Sequence, residues 1–156
     1  MELWKKYKPY IITTAIILGL AGISSLLSGG FDEYKLAEKP PLSPPAILFP
    51  IVWTVLYTML AIAAVTVAKS NDLDKASALR VFIIHLAINL TWPIIFFGFS
   101  APKFALVWLV LTVFTALLTA RRFFSVSKVA GFLLVPYIIW LFFAFYLNFG
   151  IVALNS

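Results

Sequence analysis

Five runs of roughly twenty apolar residues, each ended by a short polar break, set the terms for any fold of this 156-residue chain. They cover 10–27, 46–68, 78–99, 104–120 and 129–154, with a longer connection at 28–45. A helix that crosses the hydrocarbon core needs about 20 such residues, so five spans use about 105 and leave about 50 for ends and turns. No soluble domain fits in that remainder. Hydrophobic residues make up 63% of the chain and charged ones only 12%, against about a quarter in soluble domains. The expectation is an all-α polytopic membrane protein, a single five-transmembrane-helix bundle over 1–156.

The breaks are Ser28-Gly29-Gly30, the polar stretch 69–75, the turn Ser100-Ala101-Pro102-Lys103, and Arg121-Arg122, read as closing the fourth span. Of the 12 basic residues, nine fall on one side (Lys5, Lys6, Lys8, Lys69, Lys75, Arg80, Arg121, Arg122, Lys128) and three on the other (Lys35, Lys39, Lys103). The positive-inside rule then predicts a multi-pass protein of the cell membrane with a cytoplasmic N-terminus and an outer C-terminus. The net charge of +6 is a topology signal on this reading, and no nucleic-acid partner is expected. The first run is long for a signal peptide and no Ala-x-Ala site follows it, so it is read as a retained span.

Chemistry is constrained as much by absence. There is no cysteine and a single histidine, His85, so thiolate, iron–sulfur and multi-histidine metal sites are excluded and no metal site is expected. All 6 acids lie outside the apolar runs, which counts against a proton-coupled transporter, because such proteins carry ionisable relays at membrane depth. No acid–base pair or nucleophile stands out for conventional catalysis.

What polar character the spans hold falls into patterns. His85, Asn89 and Trp92 share one helical face of the third span, with Pro93 next, where the missing amide frees a carbonyl and permits a kink. These residues either tie helices together or line a cavity. Trp53 and Tyr57 stand four apart in the second span, continued by Ala61, Ala64 and Ala68. Tyr137, Trp140, Ala144 and Asn148 recur along the fifth. Trp4, Tyr7 and Tyr10 suit an interfacial belt. The first connection holds Lys39-Pro40-Pro41-Leu42-Ser43-Pro44-Pro45, a stiff segment expected to cover one end of the bundle. Pro44 or Pro45 suits the start of the second span.

This proline-rich run, followed by Phe49-Pro50-Ile51-Val52-Trp53-Thr54-Val55-Leu56-Tyr57, by the stretch from Leu86 through Asn89-Leu90-Thr91-Trp92-Pro93 to Gly98, and by Pro136-Tyr137-Ile138-Ile139-Trp140 with Ala144 and Leu147-Asn148, resembles the TspO/MBR family. This is the tryptophan-rich sensory protein and translocator protein family, also called the peripheral benzodiazepine receptors. The resemblance runs from the first connection to the end of the chain. It implies a bundle that is commonly a homodimer, embedded in the lipid bilayer, with a cavity under the first connection. It implies binding of porphyrin or haem as ligand, with no cofactor required, and of isoquinoline carboxamide-type compounds. A eukaryotic member would sit in the outer mitochondrial membrane. Residues matching the family's pocket are Tyr34, Trp53, Tyr57, Asn89, Trp92, Trp140 and Ala144; His85, Tyr137 and Asn148, from the residues themselves, are candidates for further polar lining. Some bacterial members are described as degrading porphyrin in light, a role that would fall to Trp53 and Trp140. Porphyrin or lipid transport is the other alternative. The proposed sterol motif needs a basic residue after its tyrosine, and none follows Tyr146, so sterol binding is not carried over.

The residue chemistry fits a flat aromatic guest. Indole and phenol rings add about 0.5–1.5 kcal/mol each beyond burial, and Lys35 and Lys39 of the connection are candidate partners for carboxylates at a porphyrin's edge.

Overall fold

The computed structural model describes residues 1–30 and 32–156, and the side chains of all of these except Glu33. The chain runs α1 (Glu2–Leu27), α2 (Asp32–Leu36), α3 (Leu48–Ala68), α4 (Lys75–Pro93), a π-helical turn (Ile94–Gly98), α5 (Pro102–Val126) and α6 (Lys128–Leu154). Five of these helices, the π turn counted with α4, are long and apolar enough to cross a membrane, and no strand occurs among the described residues. The shortest of the five, α3, is 21 residues and spans about 32 Å at about 1.5 Å per residue, the thickness of a hydrocarbon core.

Helix ends and apolar-run ends differ where cations are involved. Helix α1 starts eight residues before the first run and takes in Lys5, Lys6 and Lys8; α5 continues past Arg121-Arg122 to Val126. A charge ends the lipid-compatible stretch but not the backbone ladder, because long basic side chains reach the interface while their helix carries on. The real break between α5 and α6 is one residue. Ser127 adopts an extended conformation (φ −153°, ψ 119°) and its Oγ accepts from the Ala130 N–H at 3.3 Å, capping α6.

The first connection is less extended than its prolines suggest. It contains the short helix α2, and α3 begins at Leu48, three residues beyond Pro45. Turn bonds from the Leu48 and Phe49 N–H groups to Pro45 O and Ala46 O lead into the helix, and Pro50 occupies its first turn, where no amide is missed. Pro93 ends α geometry rather than merely bending it. The Ile94 N–H turns back to Thr91 O, and the chain widens into the π turn. The Leu90 carbonyl instead accepts from Ser24 Oγ of α1 at 2.5 Å.

Helices α4, α5 and α6 form the dense part of the bundle. Small residues allow close approach: a Cβ on Gly131 would lie 2.3 Å from the Phe124 ring. Polar cross-links join the helices inside. His85, fully buried, shares hydrogens with Thr115 Oγ1 of α5 (2.8 Å) and with the Tyr137 hydroxyl of α6 (2.7 Å). Trp108 Nε1 donates to Ile88 O at 2.9 Å, and Trp92 Nε1 to Ala105 O at 3.1 Å. Helix α3 packs on α6 and α1, and its Leu60, Ala61, Ala63 and Ala64 are buried in the core. Helix α1 is peripheral: it lies mainly on α3 and α4, and buries only Ile17 and Ser24.

Candidate functional site

The space in the bundle lies at the end that carries the first connection, and it is divided. A hollow of about 340 Å³ sits among α1, α3 and the end of α4, within the size range of small-molecule sites. A second, of about 20 Å³, lies toward α6. Three aromatic side chains, Phe49, Trp92 and Phe97, line both and form the partition between them.

Sequence-selected residues are distributed over the two sides. Trp53 and Tyr57 face the larger hollow, their rings stacked at 5.2 Å. Tyr34, Ala144 and Asn148 line the smaller one. Trp92 belongs to both and stacks on Phe96 at 5.1 Å. Asn89 lies behind the wall: its Nδ2 donates to the Tyr57 hydroxyl at 2.9 Å and so fixes the phenol that the hollow sees. Trp140 lines neither hollow; it contacts Phe49 of the partition edge-on at 6.1 Å, and its indole N–H is buried without an acceptor. Tyr137 meets Trp53 edge-on at 6.2 Å while bonding His85. Tyr137 and His85 line neither hollow and stand one layer further in. Asn148, turned so that Nδ2 donates to Pro102 O (3.0 Å) and Oδ1 accepts from the Leu106 N–H (3.2 Å), fixes α6 to the start of α5.

The first connection closes the end of the bundle. Tyr34 is buried and its hydroxyl donates to Pro44 O at 2.7 Å. Burial raises its phenol above the ordinary range, opposed by the Ser43 hydroxyl, so it stays a neutral donor at physiological pH. Lys39 Nζ donates to Lys35 O (3.2 Å) and Ala37 O (3.0 Å) and stands over the Tyr34 ring. Lys35 pairs with Asp32 at the surface. The two lysines offered for ligand carboxylates thus serve the cover itself in this state.

Sequence reading did not single out Phe49 or Phe97 as site residues, nor the contribution of α1. Phe49 precedes Trp53 by four residues, one helical turn, which was the available signal. The α1 wall (Leu18, Ala21, Gly22, Ser24, Ser25, Ser28) carried only a hint, hydroxyls within an apolar run.

Comparison with known proteins gives the family. The sequence model of the TspO/MBR family matches residues 11–154. The tryptophan-rich protein TspO of Chlorobaculum tepidum is 39% identical over 155 residues, covering 93% of this chain and 97% of its own length. The tryptophan-rich sensory protein of Cereibacter sphaeroides is 39% identical over 126 residues (80% and 78%), and the translocator protein of Bos taurus 34% over 134 residues (84% and 79%). Five membrane-crossing helices, a closed cover and an aromatic-walled interior therefore come together in a chain that belongs to the TspO/MBR family of membrane proteins.

Proposed function

We propose that this chain is a membrane sensor or receptor that binds tetrapyrroles, porphyrin or haem, between the indole and phenol rings under the first connection. The observation that carries this reading is the buried, acceptor-less N–H of Trp140 beside the aromatic partition. A buried donor left unpaired costs about 1–3 kcal/mol, which an acceptor on a bound guest would recover. A flat ring system also suits walls that are indole and phenol faces. Parting Phe49 from Trp92 would join the two hollows and bring Trp53, Tyr57, Trp92, Trp140 and Ala144 onto one guest. On the same reading the chain is a homodimer with a cytoplasmic N-terminus. The cationic ends of α1 and α3 lie together, Lys69 Nζ donating to Lys6 O at 2.7 Å.

Titrating protoporphyrin into the purified protein is expected to quench tryptophan emission saturably. Trp53→Phe combined with Trp140→Phe is expected to weaken affinity about tenfold or more, an indole donor and a stacking surface being lost. Unchanged affinity in that double variant overturns this site. Illumination of the complex under air tests the photochemical alternative. Loss of the porphyrin band beyond that of free porphyrin would move the assignment from receptor to photocatalyst.

A further inference from the structure

We infer that the guest enters this site sideways from the bilayer, through a mouth between α1 and α3, and not from water through the cover; the inference rests on the tetrapyrrole reading above. Two possible ways in differ sharply. At the end of the bundle, the Asn155 side chain clasps Glu38 of the connection on both sides, Oδ1 accepting from its N–H at 3.0 Å and Nδ2 donating to its carbonyl at 2.9 Å. The Tyr146 hydroxyl donates to Pro41 O at 2.6 Å, and Tyr34 holds Pro44 O. Pro40 is buried against α6 so tightly that a Cβ on Gly150 would stand 2.4 Å from its ring. Entry there requires that these bonds open together.

The side is different. Gly22 and Ser25 of α1 and Pro50 and Thr54 of α3 line the larger hollow and are also exposed on the outer surface of the bundle, so they form its rim. Thr54 lies six residues into α3 and Gly22 five residues from the end of α1. Pro50 and Ser25 lie two residues inside the same ends, so at about 1.5 Å per residue the mouth runs from about 3 Å to about 9 Å inside them and reaches toward the depth of lipid chains. A Cβ on Gly22 would meet nothing within 4 Å, so this residue leaves the mouth open. Ser24, through Leu90 O, ties α1 to α4 beside the hollow. The guest class follows from the route: an amphiphile with a flat apolar body, dissolved in the leaflet on the cover side.

The test measures protoporphyrin association and dissociation by tryptophan quenching in liposomes. Gly22→Phe is expected to slow both association and dissociation about tenfold, as a gate does. Asn155→Ala, which loosens the clasp, is expected to leave both rates within about twofold. Faster exchange in Asn155→Ala with Gly22→Phe unaffected overturns the inference in favour of the cover. Weaker affinity with unchanged association in Gly22→Phe also overturns it, since the new ring would then occupy guest space. Thr54→Phe fills the mouth from the other helix should Gly22→Phe not fold. If wild-type protein shows no quenching at all, the tetrapyrrole reading falls. The mouth is then read with chain-brominated phospholipid, which should quench Trp53 more in wild type than in Gly22→Phe; equal quenching overturns the mouth.

Discussion

The α4–α5–α6 block and the α1 side of the bundle are built from the same apolar alphabet and do opposite things with it. In the block, polar side chains are paired inward. His85 reaches Thr115 and Tyr137, Asn148 reaches the start of α5, and glycine brings α5 and α6 into contact at Phe124. On the α1 side, hydroxyls line a hollow, Gly22 faces space, and a serine–carbonyl bond from Ser24 ties the helix to α4. Lipid is as apolar as leucine, so helices in a bilayer associate through close packing and interhelical hydrogen bonds. Density therefore marks what holds the fold, and its absence leaves the space in which the proposed guest would sit.

The largest effect that could break this contrast is at His85. His85→Leu keeps bulk but leaves the buried Tyr137 hydroxyl without its partner and removes the link to Thr115. A loss of about 2–4 kcal/mol is expected in reversible unfolding from detergent or bilayer, from two interhelical bonds and an orphaned hydroxyl. Ligand affinity per folded molecule should stay within about twofold. A collapse of affinity without loss of stability would make His85 part of the site and erase the division between block and hollow.

A pair of identical substitutions sharpens it next. Gly131→Ala puts a methyl 2.3 Å from the base of the Phe124 ring, so ring or helix must shift, at about 1–3 kcal/mol. Gly22→Ala meets nothing and should be neutral or stabilising by up to about 1 kcal/mol through helix propensity. Equal unfolding midpoints for the two variants would mean that the α1 side is packed as closely as the block.

Much of this architecture was legible in the sequence because bilayer thickness is a single length that each apolar run must meet. Those runs located the five helices, and the ordered tryptophan and proline stretches pointed to the family. The interior was legible only in part. Spacing put His85, Asn89 and Trp92 on one face, yet their partners are contributed by three other helices. His85 turns to α5 and α6, Asn89 to α3, and Trp92 to α5 and the hollows. A helical period says which residues lie together and not which neighbour they meet. The π turn after Pro93 was illegible for a related reason. A proline announces a missing amide, but whether the chain kinks or widens depends on where its neighbours turn: the Ile94 N–H goes to Thr91 O, and the Leu90 carbonyl it leaves is taken by Ser24, 66 residues away in sequence.

That bond offers the smallest and most discriminating effect. Ser24→Ala removes a hydroxyl buried between α1 and α4 and leaves the Leu90 carbonyl without its donor. In membranes such bonds average about 0.6 kcal/mol and reach about 1.7, so the unfolding midpoint should fall only slightly. If the bond matters as a pin on α1 rather than for stability, its loss should appear in exchange. Protoporphyrin association and dissociation should both quicken, by about the factor of 3–16 that about 0.6–1.7 kcal/mol corresponds to. Ser24→Thr keeps a hydroxyl and should restore the wild-type rates. A drop in stability with unchanged rates would reduce Ser24 to an ordinary cross-link, and would show that α1 is held by its packing on α3 and α4 rather than pinned by this bond.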